Sequence, residues 1–415
     1  MKLLILLLVG LGSAGAEVTA YTGARIFDGA GAVIENATLV VDAGKIVAIG
    51  PAGKVKPPHG ARTVDWRGKT ITPGLINAHG HVSDVEGQNT GSTEEKVTAQ
   101  LRLFASYGIT TVLSLGGEEP AAFRVRDAQA TPALDHARIF VAGPVIVGKT
   151  AEEGRQMVDK VADLHPDYIK IRVDDNLGTT KKITPDVYRA VIDETHRRGL
   201  RLFVHYFYLN DAKDLLRSGA DMLAHSVRDK DVDDEFISLI NQRRVPYCAT
   251  LTRELSTFVY EDVPPFFQDP FFLRAADPKL VAQLKEPARQ QAMRENKSAQ
   301  GYKAALPTAE RNLKKLADAG VTIVMGTDSG ATSARFKGYF EHLEMQMMAN
   351  SGLTPKQILM AATGDAARAL KLKGLGTLEP GNWADLDVFD KNPLDDIRNT
   401  ESLSAVYVAG NSVRR

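Results

Sequence analysis

The sequence predicts an α/β protein: a (β/α)8 TIM barrel with a small β-sandwich domain formed by the N- and C-terminal segments. Three observations carry this. From about residue 70 to residue 375, short apolar runs alternate with longer helical stretches; repeated β-α units imply parallel strands, because each helix supplies the crossover. Both ends of the chain are strand-like and punctuated by Gly and Asp turns. Several middle strands end in one His, Lys or Asp, the position at which a barrel carries its chemistry.

Taken in order, Met1-Lys2, the apolar run Leu3–Leu11 and the small residues Ala14-Gly15-Ala16 fit a secretory signal peptide over residues 1–16, cut before Glu17. The run is too short to span a bilayer comfortably. The expectation is therefore a periplasmic or secreted protein with no membrane association after cleavage. Residues 17–69 and 376–415 are expected to form the sandwich, with strand candidates at Ala37–Val41, Lys45–Ile49, Ala384–Phe389 and Ser404–Val408.

The barrel is expected over residues 70–375. A helical run from Glu94 to Tyr107 precedes the strand Ile109–Leu113. Asp167–Val173 is the next clear strand, and the helix after it starts with Thr184 as N-cap and Pro185 at the first helical position. Leu200–Tyr206, Asp221–His225, Val245–Leu251 and Val321–Gly326 are further strands. About eight units in roughly 300 residues suit this architecture. Residues 253–309 are too long for an ordinary barrel loop. Their aromatic and proline-rich part, Phe258–Phe272, and the charged helical part after it are expected to form a lid-like insertion.

Composition removes several classes of function. Lys plus Arg and Asp plus Glu are 51 each, so the chain has no net charge and no basic footprint for nucleic acid. Hydrophobic residues at 44 % exclude a disordered chain. The single Cys248 excludes an intramolecular disulfide and a thiolate zinc site. Any metal must be held by His, Asp, Glu or Lys.

The strand ends supply such residues. His79 and His81, two apart in a strand, point to one face. In Tyr168-Ile169-Lys170-Ile171, alternation turns the isoleucines toward the helices and Lys170 toward the lumen. A buried lysine tends to lose its proton, and a neutral amine combines with carbon dioxide to give an anionic carbamate. His205, His225 and Asp328 close three other apolar runs. Each alone is as compatible with packing as with a site; together they are hard to attribute to packing. Imidazole with carboxylate-type oxygen suits zinc, manganese, iron or cobalt rather than calcium.

At these residues the chain resembles the amidohydrolase superfamily. The carriers are Ile71–His81, Lys170, His205, His225, Gly326–Gly330 and the tail Gly376–Leu386, and the likeness extends over essentially the whole mature chain. Within the superfamily it is most similar to the exported imidazolonepropionase-like group, which includes metal-dependent dipeptidases of the prolidase type. Single-metal deaminases typically carry His-x-x-Glu at the sixth strand, whereas this chain reads His225-Ser226-Val227-Arg228. The resemblance implies two divalent ions, zinc foremost. It gives His79, His81 and Asp328 to the first ion and His205 and His225 to the second, with carboxylated Lys170 between them. It also implies Asp328 as general base in hydrolysis of a C–N amide bond, in an Xaa-Pro or similar dipeptide or in an N-acyl amino acid.

Substrate contacts are expected from Tyr208, from Tyr206 unless strand alternation turns it away, and from Arg228, which suits a carboxylate. Asp174 and Asp175, just past the fourth strand, are placed to support the ligands from behind. His59, His136, His165, His196 and His342 read as structural. The partner is a small-molecule substrate, and a homo-oligomer is left open. Competing readings are a lactonase or esterase using the same metals, a single-metal deaminase, a cyclic amide hydrolase of the imidazolonepropionase type, and a barrel-derived binding protein.

Overall fold

The computed structural model describes residues 18–82 and 93–414. The expected signal peptide, residues 1–16, lies outside them. Strands at the two ends of the chain build one hydrogen-bonded sheet of eight strands. Thr19–Phe27 is its hub, pairing antiparallel with Val33–Asp42 and parallel with Arg62–Asp65 and Thr70–Pro73. The C-terminal strands Leu386–Phe389, Leu403–Val408 and Asn411–Ser412 continue the sheet from Thr70–Pro73. The N-terminal contribution thus runs through Pro73, beyond the expected boundary at 69. Tyr21, Ile26, Leu39, Ile71, Leu386 and Val388 form an apolar core separate from that of the middle domain. Trp66 stacks on Tyr21 at 4.1 Å between ring centres.

The middle of the chain is a TIM-barrel-like α/β domain made of two parallel arcs. One contains Leu75–Gly80, Ile109–Ser114 and Arg138–Val141; the other contains Ile169–Val173, Leu202–Tyr206, Met222–Ala224 and Tyr247–Cys248. An isolated parallel bridge joins Ile146 to Ile171, so the arcs meet on that side. On the other side the segment Val321–Ser329 lies between them. Ile323 bridges Tyr247, Ser329 bridges Gly80, and the amide of Ala78 donates to Met325 O at 2.8 Å. This segment was expected as a strand over Val321–Gly326; it is extended, with bridges in place of a continuous ladder. Gly326 explains its close fit, since a Cβ there would meet the backbone N of His79 at 2.8 Å.

Local signals place the crossover helices. Thr93 accepts from the amide of Lys96 and starts Glu94–Ser106. Thr184, with Pro185 behind it, starts Pro185–Arg197. The strand expected over Val245–Leu251 shortens to Tyr247–Cys248, because Leu251 already opens the helix Leu251–Leu255. The insertion is helical rather than loop-like, and its last helix, Lys297–Asp318, runs through the expected boundary at 309. Part of its aromatic stretch is packed inward. Phe266, Phe267 and Phe272 pack on one another and on Phe336, Tyr339 and Phe340.

Candidate metal centre

The polar residues at the strand exits converge at one end of the arcs. His79 Nε2 and His81 Nε2 lie 3.3 and 2.8 Å from Asp328 Oδ1. Lys170 Nζ is 3.5 Å from His79 Nε2. The His79 ring is 4.6 Å from that of His225, which is 4.2 Å from that of His205. All six expected ligands are therefore linked by direct contacts. His79, Lys170 and His225 are almost fully buried.

The tautomers can be worked out from the partners. Gly116 O can only accept, so His81 Nδ1 donates to it at 3.2 Å. That leaves a lone pair on His81 Nε2 facing a carboxylate oxygen at 2.8 Å. Two acceptors face each other there, a contact that only a proton or a cation satisfies. His79 Nδ1 is buried without a partner. The ligand atoms of His79, His81 and Asp328 all lie within 4.8 Å of one another, so this set fits a divalent cation in donor type and spacing. His205 Nε2 donates to Asp174 at 2.7 Å, which leaves Nδ1 as the free lone pair. His225 Nδ1 contacts the Thr250 hydroxyl at 2.7 Å, leaving Nε2.

A rigid surround holds these groups. Glu118 accepts from Ser114 Oγ and the amides of Gly116 and Gly143, at 2.5, 2.9 and 2.7 Å, and so fixes the loop that offers its carbonyl to His81. Glu341, on the helix Tyr339–Asn350, gathers Asn77 Nδ2, Thr327 Oγ1 and Ser329 Oγ on one oxygen at 2.5–2.8 Å. That ties the first strand to the Asp328 segment. His225, Thr250 and Asp328 have positive φ of 110°, 48° and 60°. Non-glycine residues in such conformations cost of order 1–3 kcal/mol each and need a surround that over-determines them.

Electrostatics follow from burial. Desolvation lowers Lys170 to about 8, with Asp328 opposing the shift. Desolvation takes His79 to about 3 and holds His205 and His225 well below the ordinary imidazole range. Burial alone would raise Asp328, but Arg335, His79 and His81 outweigh it and hold the carboxyl well below the usual range. Arg335 pairs directly with Asp328 Oδ2.

The expected substrate contacts fare differently. Tyr208 lies at the rim, its hydroxyl donating to Asp175 at 2.8 Å. Tyr206 is not brought to the site: it is fully buried in the core between strands and helices, because it alternates with the inward-facing His205. Arg228 is sealed. Its Nη1 donates to the carbonyls of Tyr206 and Ser226, and its guanidinium stacks on Phe207 at 4.6 Å. Thr250, Arg253, Glu254, Arg335 and Tyr302 were not expected at the site. The adjacent charges in Arg253-Glu254, at the start of an otherwise aromatic insertion, were the one signal available.

Fold and site together define an enzyme whose polar cluster sits at the carboxyl ends of parallel strands in a TIM-barrel-like domain. The amidohydrolase family model matches residues 70–413, and the chain belongs to that family. It is therefore a hydrolase acting on C–N bonds and on small molecules, in a family that is typically metal-dependent. The imidazolonepropionase of Geobacillus kaustophilus (strain HTA426) is 27% identical over 391 residues, covering 86% of this chain and 84% of that protein. A Bifidobacterium longum structure described as a prolidase superposes with a TM-score of 0.77 at 24% identity, covering 97% and 95% of the two chains. An Xaa-Pro dipeptidase solved with methionine in its active site gives 0.74 at 22%, covering 95% and 99%. Among the described residues, no helix is long and apolar enough to cross a membrane.

Proposed function

We propose that the protein is an exported, binuclear metal-dependent amidohydrolase that cleaves the amide bond of a dipeptide, Xaa-Pro or similar, or of an N-acyl amino acid. The observation that carries this reading is the unbroken chain of contacts from His81 through Asp328, His79 and His225 to His205, with Lys170 against His79. In this proposal His79, His81 and Asp328 hold one ion and His205 and His225 the other, with zinc the leading candidate for this donor set. Lys170, as the neutral amine, would combine with carbon dioxide with loss of a proton, and the carbamate would supply anionic oxygen donors to the ions. Its lowered pKa supplies the neutral amine that this requires. The proposed domains are the sandwich of the two chain ends and the (β/α)8 barrel with its insertion. Export rests on the signal pattern in residues 1–16.

When bound, the ions supply Lewis acidity, lowering the pKa of water and polarising the carbonyl. Asp328, kept ionised by Arg335, takes a proton from the attacking water and passes it to the leaving nitrogen. The products are a carboxylic acid and an amine. Tyr208 is the proposed substrate contact at the rim.

Two measurements test this. Metal analysis of the purified protein should give two ions per chain, with Lys170→Ala reducing that number. A screen of dipeptides, N-acyl amino acids, cyclic amides and lactones should show amide cleavage in a narrow subset. Full activity without metal, or turnover confined to lactones, sinks the reading. The similarity to imidazolonepropionase favours one alternative, opening of a cyclic amide, and the same screen separates it.

A further inference from the structure

Four arginines lie by the site, and the structure distinguishes them. Arg172, on the same strand face as Lys170, is taken by Asp174 at 3.5 Å and by Asn176. Arg335 is committed to Asp328. Arg228 has no exposed side-chain surface and lies behind Phe207. Arg253 differs: its side chain is 7% exposed, and Glu254 takes only its Nη1, at 3.0 and 3.1 Å. No second carboxylate pairs with Arg253 among the described residues.

Its position is fixed from both sides of the centre. The next residue back, Thr252, donates through Oγ1 to Glu344 at 2.7 Å and lies 3.2 Å from Thr327 O, beside Asp328, and Thr250 contacts His225. The Tyr302 ring, from the insertion, lies 4.3 Å from the guanidinium and fixes its plane. Phe207 packs edge to face on Tyr302 at 6.1 Å and so supports that ring.

The direct pairing there is uneven. Glu254 lies 3.0 Å from Arg228 Nε as well as from Arg253, so two buried guanidiniums share one carboxylate. Asp174 and Asp328 act on the two guanidiniums at longer range without pairing with Arg253 directly. A guanidinium with one edge engaged offers its remaining N–H groups to a second carboxylate in fork geometry.

We propose that Arg253 is the residue that selects substrates carrying a free carboxylate beside the scissile amide. Glu254, held by Arg228, orients its guanidinium, and Tyr302 covers its face. This rests on the amide-hydrolase reading above and adds the determinant of specificity. Arg228, read from the sequence as a carboxylate contact, becomes a positioning residue that acts through Glu254.

The test pairs each amide substrate with its C-terminal carboxamide. Wild type should prefer the free acid by about 100-fold in kcat/KM, mainly through KM. Arg253→Met should lose that preference, falling far more on the acid than on the carboxamide, and Arg253→Lys should restore part of it. Independently of turnover, N-acetyl-L-phenylalanine should raise the Tm of the metal-free wild type, whereas its carboxamide should not. Arg253→Met should remove that shift. Tyr302→Leu, a milder change, should weaken both readouts. If wild type discriminates and Arg253→Met still does, or if the acid gives no shift with wild type, the proposal is overturned. If the shift behaves as expected but no dipeptide or N-acyl amino acid is turned over, the proposed substrate reading fails and the assignment of Arg253 as a carboxylate site stands.

Discussion

Asp174 gives the sharpest test of how the centre is held. Its side chain has no exposed surface. Oδ2 accepts from His205 Nε2 at 2.7 Å, and Oδ1 accepts from the amide of Asn176 at 2.9 Å. The first contact keeps the proton on Nε2 and leaves Nδ1 as the nitrogen that would face the proposed second ion. Burial would raise Asp174, but His205 and Arg228 outweigh it and hold the carboxylate strongly ionised. Partners of this kind behind ligating histidines are worth 10–100-fold in metal affinity, or about 1.4–2.8 kcal/mol. Asp174→Ala frees the ring, orphans the Asn176 amide and should weaken the ion held by His205 by that amount. Asp174→Asn can still accept through its amide oxygen, so it should lose less, about 3–10-fold. Competition with a chromophoric chelator measures both. The two ions should respond unequally, because Asp174 contacts none of His79, His81 and Asp328. Equal weakening of both ions, or unchanged affinity in Asp174→Ala, would refute the role given to His205.

Two further changes probe the scaffold. His342 is fully buried, with Nε2 donating to Tyr107 O at 2.8 Å, and burial lowers it to about 4 from an unfolded value of 6.5. A group whose folded pKa is depressed stabilises above the unfolded pKa and loses that contribution as pH falls toward the folded one. The difference is about 3 kcal/mol in full, of which about 2 kcal/mol is lost by pH 5. Urea unfolding of wild type and His342→Gln at pH 8 and pH 5 should show that share of the acid sensitivity missing from the variant; identical pH dependence would contradict it. Gly326→Ala places a Cβ 2.5 Å from Cys248 Sγ and 2.8 Å from the His79 amide. It should cost about 1–3 kcal/mol as overpacking and displace His79, which thermal unfolding and metal content together report.

Much of the site was legible because strands alternate. The period of two turned Lys170 away from Ile169 and Ile171 and pointed His79 and His81 to one side, and it also warned that Tyr206 faces the helices. Arg228 shows the limit of that reasoning. Nothing in His225-Ser226-Val227-Arg228 reveals that the guanidinium folds back onto the carbonyls of Tyr206 and Ser226. Glu341 was invisible for a related reason: its partners Asn77 and Ser329 are 264 and 12 residues away. The aromatic stretch Phe258–Phe272 was legible as apolar, yet its partner surface on Phe336–Phe340 came from the fold.

By itself the sequence determined the α/β class, the strand ends that carry chemistry and the nitrogen- and oxygen-donor character of any metal site, because these depend on residue type and local periodicity. Only the tertiary structure decided that the two chain ends share one sheet, that His81 Nε2 faces a carboxylate, and which of the arginines by the site keeps an edge open beside a single carboxylate. Those are distances and burial between residues far apart in the chain, which local periodicity does not encode.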